Sequence, residues 1–193
     1  TLSADTAYVV VPVVVTKEVK LTVNVLPGGG ATEDDAQVDI EPGTIVVSGA
    51  EADLEGLEEI SLGKVSLSEI RDSKSITFPI VLDSSLVNES GLDSAEVKVT
   101  VQGLSTAVFA ARNITTTPPP NGLTAEVVTQ SLAVTIRGRA EDLAGIDASQ
   151  IRVVADLSNI STLGTQQVPA RVYLDSVDTV GVVGDYSIVV KLS

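Results

Sequence analysis

The sequence predicts a mostly β chain of two related modules, each with one or two short helical turns. Three observations carry this. Apolar residues recur with period two, proline and glycine clusters separate the runs, and the second half repeats the order of the first. Composition leans the same way. The hydrophobic fraction is 44%, supplied by Val, Ile, Leu and Ala, with aromatics at only 3%. Val and Ile are branched at Cβ and fit a pleated surface well.

Val19, Leu21, Val23 and Val25 alternate with Lys20, Thr22 and Asn24, a half-buried strand that stops at Pro27-Gly28-Gly29-Gly30. Gln37 to Ile40 and Thr44 to Ser48 form two short strands about the Pro42-Gly43 turn. Ala50 to Leu57 is the best helical stretch of this half, two turns at most. Ile60 to Leu67, Ile76 to Leu82 and Ala95 to Val101 complete the strands.

The order then returns. Ile45-Val46-Val47-Ser48-Gly49, with the acidic run Glu51 to Leu54 and Gly56 behind it, stands beside Val134-Thr135-Ile136-Arg137-Gly138, Glu141 to Leu143 and Gly145. Leu67-Ser68-Glu69-Ile70 matches Leu157-Ser158-Asn159-Ile160, and Phe78-Pro79 matches Val168-Pro169. Both halves close on a strand, Val97/Val99/Val101 and Ile188/Val190/Leu192. The period is roughly ninety residues, too long for a solenoid and suited to an array of small β modules. The expected division is a closing strand of a preceding copy at 1–15, one repeat at 16–103 and a second at 104–193. The segment Thr115 to Gly122, rich in Pro, then falls inside the second repeat and is no interdomain linker. The missing Met and the strand-like start lead us to expect a piece of a longer protein, with any membrane anchor outside it. The longest apolar run, Tyr8 to Val15, is too short to span and contains Pro12.

Charge and residue content exclude whole classes of function. Twenty-six acids against twelve bases leave a net charge of -14, which repels nucleic acid and anionic lipid alike. His and Cys are absent, which removes Ser-His-Asp and Cys-His nucleophile sets, His-based zinc motifs and disulfides. Ser61-Leu62-Gly63-Lys64 has SxxK spacing, but the segment alternates as a strand, where positions three apart face opposite ways, and the companion motifs are missing. Glu33-Asp34-Asp35 with Asp39 lacks the spacing of a calcium loop and reads as solvated, leaving cation binding there open. Glu51/Asp53 and Glu141/Asp142 sit where a helix dipole favours acids. Asn88, Asn113 and Asn159 open glycosylation triplets that matter only in a eukaryotic source. No catalytic, cofactor-binding or metal-ligating residue is assigned.

The duplicated skeleton resembles the YbbR-like domain. The resemblance rests on Thr16-Lys17-Glu18-Val19 through Gly30 and Val46-Val47-Ser48-Gly49, and on Val134 to Gly138 followed by Ile151-Arg152-Val153-Val154-Ala155-Asp156-Leu157-Ser158. It departs from the family pattern at Val65-Ser66-Leu67-Ser68, Phe78-Pro79-Ile80 and Val168-Pro169-Ala170. What it implies is an extracytoplasmic, non-catalytic region of a membrane-anchored protein of Gram-positive bacteria, held by an N-terminal helix outside this chain. The implied partner is the membrane diadenylate cyclase, whose synthesis of cyclic di-AMP such proteins regulate. The alternative is a surface adhesin or structural spacer that binds an external ligand. Exposed edge strands also offer a route to self-association.

Overall fold

In the computed structural model, residues 14–175 and 179–193 are described. The closing strand expected at 1–15 lies almost wholly outside them, as does most of the Tyr8–Val15 run. The strands are β1 Val15–Leu26, β2 Ala36–Glu41, β3 Thr44–Gly49, β4 Glu59–Ser66, β5 Ser73–Pro79, β6 Val87–Asn88, β7 Ser94–Val101, β8 Ser105–Ala111, β9 Asn113–Thr116, β10 Ala125–Val127, β11 Leu132–Gly138, β12 Ile151–Ala155, β13 Gly164–Leu174, β14 Gly181–Val183 and β15 Tyr186–Leu192. Two short helices, α1 Glu51–Leu54 and α2 Ala140–Ala144, follow β3 and β11. The chain is mostly β, as its alternation predicts.

The order of strand neighbours recurs. One sheet runs β4-β1-β3-β6 and another β14-β11-β8, so β3 and β11 each lie between an earlier long strand and a later short one. Likewise β2-β7-β5 has its counterpart in β10-β15-β13, which β12 and β9 extend to five strands. The closing strands read from the sequence, β7 and β15, are central in these sheets, which is why Val97, Val99, Ile188 and Val190 are fully buried.

Packing divides the chain into two compact units. The first takes the described residues up to Asn24 with Asp39–Gly63 and Ile76–Val97; the second takes Val25–Val38, Lys64–Ser75 and Lys98–Ser193. A boundary at Gly103 is a statement about sequence similarity, a different partition of the chain. The core of the first unit gathers Val19, Leu21, Ile45, Val47, Leu54 and Ala95. That of the second is larger and is centred on Val134, Ile136, Ile151, Val153, Leu157, Ile188 and Val190.

Two local readings shift in their bounds, and one short strand is new. The helical stretch expected over Ala50–Leu57 is a single turn, because the backbone is already extended at Glu55 and the Leu57 N–H returns to the Leu54 carbonyl at 3.2 Å. That turn still buries Leu54. The strand expected at Ile76–Leu82 begins earlier and stops at Pro79. β6 is too short to show any alternation, and no sequence pattern announces it.

Candidate functional site

Arg137 organises the second unit. It lies on β11 between Thr106 of β8 and Gly181 of β14, and its side chain is 0% exposed. A guanidinium has five N–H donors in a rigid fork, and burial demands that each find an acceptor. All five do. Nε donates to the Gly29 carbonyl at 2.8 Å. Nη1 donates to Ile70 at 2.5 Å and to Arg71 at 3.3 Å, and Nη2 to Gly28 at 2.9 Å and Leu67 at 2.8 Å. Among the described residues no carboxylate is hydrogen-bonded to it or within salt-bridge distance. Burial lowers its pKa from the ordinary value, while Asp35 and Asp72 act at longer range to favour the charged form. An arginine starts so far above neutrality that it stays charged.

Glycine backbone makes the cradle reachable. Gly29 and Gly30 both have positive φ, and a Cβ on Gly30 would stand 2.6 Å from the Gly181 nitrogen. A Cβ on Gly181 would in turn strike the backbone of Gly29 and Gly30. Two glycine backbones therefore meet face to face, which no side chain permits. Around them the Gly28 and Ala31 backbones exchange hydrogen bonds at 3.0 and 3.2 Å, and the Gly184 N–H donates to the Ser68 carbonyl at 2.9 Å. The Arg71 guanidinium adds a bond to the Thr135 hydroxyl at 2.8 Å. Sequence reading treats Gly28 to Gly30 as a permissive turn and passes over Arg137. No pattern signalled its burial: in Val134-Thr135-Ile136-Arg137-Gly138 the polar Thr135 and Arg137 alternate with apolar residues, which reads as a face turned to water, yet both are buried.

The Ala155-Asp156-Leu157-Ser158 run has an equally local purpose. Asp156 accepts the Ser158 N–H at 3.0 Å and the Thr117 hydroxyl at 2.8 Å, and the Thr117 oxygen accepts the Leu157 N–H at 2.8 Å. Bonds from the Ser158 backbone and hydroxyl, then from Thr117, pull the Asp156 pKa down to about 2. The Leu157–Ile160 turn they hold matches the Leu67–Ile70 turn, and each closes with the fourth residue's N–H on the first carbonyl. Beside Asp156 an open groove of about 1110 Å³ is lined by Thr117, Arg171, Tyr173, Asp185, Tyr186 and Ser187 among others. Several of these polar groups are already engaged. The Tyr186 hydroxyl donates to the Val183 carbonyl at 2.6 Å and accepts the Thr135 N–H at 2.8 Å, while the Ser187 hydroxyl accepts from Gln167 at 2.5 Å. The groove offers a surface with mixed charge and two aromatic rings. Among the described residues none of its hydroxyls is hydrogen-bonded to a basic side chain, the arrangement a nucleophile needs.

The candidates singled out by sequence do not converge. Ser61 and Lys64 sit on strand β4, as expected, but both are exposed. The in–out alternation slips by one at Gly63, whose φ is 151°, so they do not face opposite ways. Glu33 to Asp35 form a short 3-10 turn in which Asp35 caps its own start. It accepts the Thr32 N–H and hydroxyl, both at 2.8 Å. Those two bonds hold Asp35 below the usual carboxylate value, with Arg139 and Arg137 adding to the effect. Glu51/Asp53 and Glu141/Asp142 lie in the first turns of α1 and α2. Among the described residues no group of three or more acidic side chains could hold a metal ion.

Residues 112–192 match the family model described as YbbR-like protein. No curated protein matches the chain. Among solved structures, it is similar to the YbbR-like domain of a Listeria monocytogenes protein at 24% identity and a TM-score of 0.37, over 46% of this chain and 93% of that one. It is also similar to a YbbR-like protein from Streptococcus pneumoniae TIGR4 at 15% identity and a TM-score of 0.34, over 97% of this chain and 98% of that one.

Proposed function

The chain carries a YbbR-like domain over residues 112–192, and from that premise we propose a non-catalytic binding function. The chain is then the extracytoplasmic region of a membrane-anchored protein that regulates the membrane diadenylate cyclase, and so cyclic di-AMP synthesis, by protein–protein interaction. The domain match is the observation that carries this reading. Two features of the chain support its non-catalytic part: the sequence has no His or Cys, and the hydroxyls of Thr117, Tyr186 and Ser187 beside the groove are bound to structural partners. Among the described residues no helix is long and apolar enough to cross a membrane, so this reading places the anchor outside them.

The test uses the full-length protein. It should co-purify from membranes with the cyclase, and its deletion should change cellular cyclic di-AMP. No association and no change in the nucleotide would sink the proposal. Loss of surface attachment with unchanged cyclic di-AMP would favour an adhesin or spacer instead.

A further inference from the structure

β8 ends the sheet β14-β11-β8. One of its sides pairs with β11 over Ser105–Ala111, and among the described residues no other strand of that sheet lies beyond it. In an antiparallel pair alternate residues turn their N–H and C=O to the partner, and the residues between turn theirs away. Those outward groups form an edge that will pair with any strand able to lie beside it, and folded proteins ordinarily blunt such an edge with Lys, Pro or a bulge. β8 reads Ser-Thr-Ala-Val-Phe-Ala-Ala and has none of these. β1, which holds beside β3 the place of β8 beside β11, is covered on its far side by β4 and carries Lys17, Glu18 and Lys20 where β8 has Ala107, Val108 and Ala110. Val108 is 64% exposed.

We propose that β8 is a self-pairing edge, and that two copies of this chain associate through antiparallel β8–β8 pairing about a two-fold axis at Val108. The occupant follows from the sequence of the strand, which is self-complementary under reversal. Val108 meets Val108 of the second copy, Phe109 meets Ala107, Thr106 meets Ala110 and Ser105 meets Ala111. Each larger side chain faces a smaller one apart from the central pair, and no charge enters the seam. A symmetric pair of this kind closes on itself and leaves no further edge on β8. Seven residues span about 23 Å, a small interface, so the association is weak. The net charge of -14 makes the copies repel, and salt that screens this repulsion strengthens pairing.

The experiment is sedimentation equilibrium on the full chain from micromolar to millimolar concentration at low and moderate salt. The mass should rise toward twice the monomer value, and the transition should move to lower concentration with salt. V108K places two like charges on the axis and should hold the protein at monomer mass, while V81K, at a site 75% exposed in the first unit, should leave association intact. A110K is the second variant for the same edge, and unchanged melting curves show that both variants fold. A concentration-independent monomer mass, association that weakens with salt, or a dimer that survives both V108K and A110K would overturn the proposal.

Discussion

Ser48 in the first repeat and Arg137 in the second hold the same place in one strand–glycine–helix skeleton. Each lies on the middle strand of its sheet, one residue before the glycine that precedes the short helix. Ser48 stands opposite Thr16 and Val87; Arg137 stands opposite Thr106 and Gly181. There the likeness ends. The Ser48 hydroxyl, on a residue 5% exposed, donates to a Glu89 oxygen at 2.5 Å, a single polar bond, and Val87 beside it is 58% exposed. Arg137 is sealed under five carbonyls, and Gly181 has no side chain to hold them off. The two differences belong together. Glycine lets backbone approach, and approaching backbone brings carbonyls that need donors. An arginine without that approach would have no carbonyls to bind, and the approach without an arginine would bury acceptors unpaired.

The comparison can be broken from either side. Gly181→Val gives the second repeat the residue of the first and drives a side chain into the Gly29–Gly30 backbone. It should cost more than about 4 kcal/mol, read as a fall in urea midpoint with loss of exchange protection at the Ala31 amide. Arg137→Ser, the other half of the exchange, leaves five carbonyls without their donor and should cost about 3–5 kcal/mol by the same urea measurement. Arg137→Lys should recover only part of that loss, since an ammonium has three donors and no fork.

Smaller effects sharpen it. Thr117→Val removes the acceptor for the buried Leu157 N–H and should cost about 1–3 kcal/mol in thermal or urea unfolding. Asp156 is held down to a pKa of about 2, below the ordinary 3.8 of an aspartate, so it binds fewer protons folded than unfolded and stabilises the fold above pH 4. That contribution fades as pH falls through 2. Acid titration of the wild type should therefore show a steeper loss of stability between pH 5 and pH 2 than Asp156→Asn shows, within the principle that paired carboxylates drive acid unfolding. Ser48→Ala should cost about 1 kcal/mol, since it deletes one partly buried hydrogen bond and uncovers nothing.

Much of the fold was legible from residue patterns. Period-two alternation placed β1, β3, β4 and β7 within a residue or a few of their true ends, because burial of one sheet face imposes it locally. The paired turns at Leu67–Ile70 and Leu157–Ile160 were legible as a repeated tetrapeptide. The site was not. Arg137 draws on residues 66 to 109 positions away in the chain, a separation that no periodicity records. Gly28 to Gly30 announced a turn, but a turn signal does not say what the turn packs against. Asp35 drew attention as an acid and Asp156 only as part of the Ala155-Asp156-Leu157-Ser158 run, and neither pattern tells that Thr32 and Thr117 are their hydrogen-bond partners.

The sequence by itself determined that this chain is mostly β and holds no His or Cys, and it carries a residue pattern of its first half again in its second. These follow from composition and from local steric preference, which act residue by residue. Only the tertiary structure decided that Arg137 is buried in a cradle of carbonyls and Ser48 is not, that Gly181 meets the Gly29–Gly30 backbone, and that β8 ends its sheet among the described residues. Each depends on which distant backbone arrives beside a given strand, and hydrogen-bond demand is set by that neighbour and not by the residue alone.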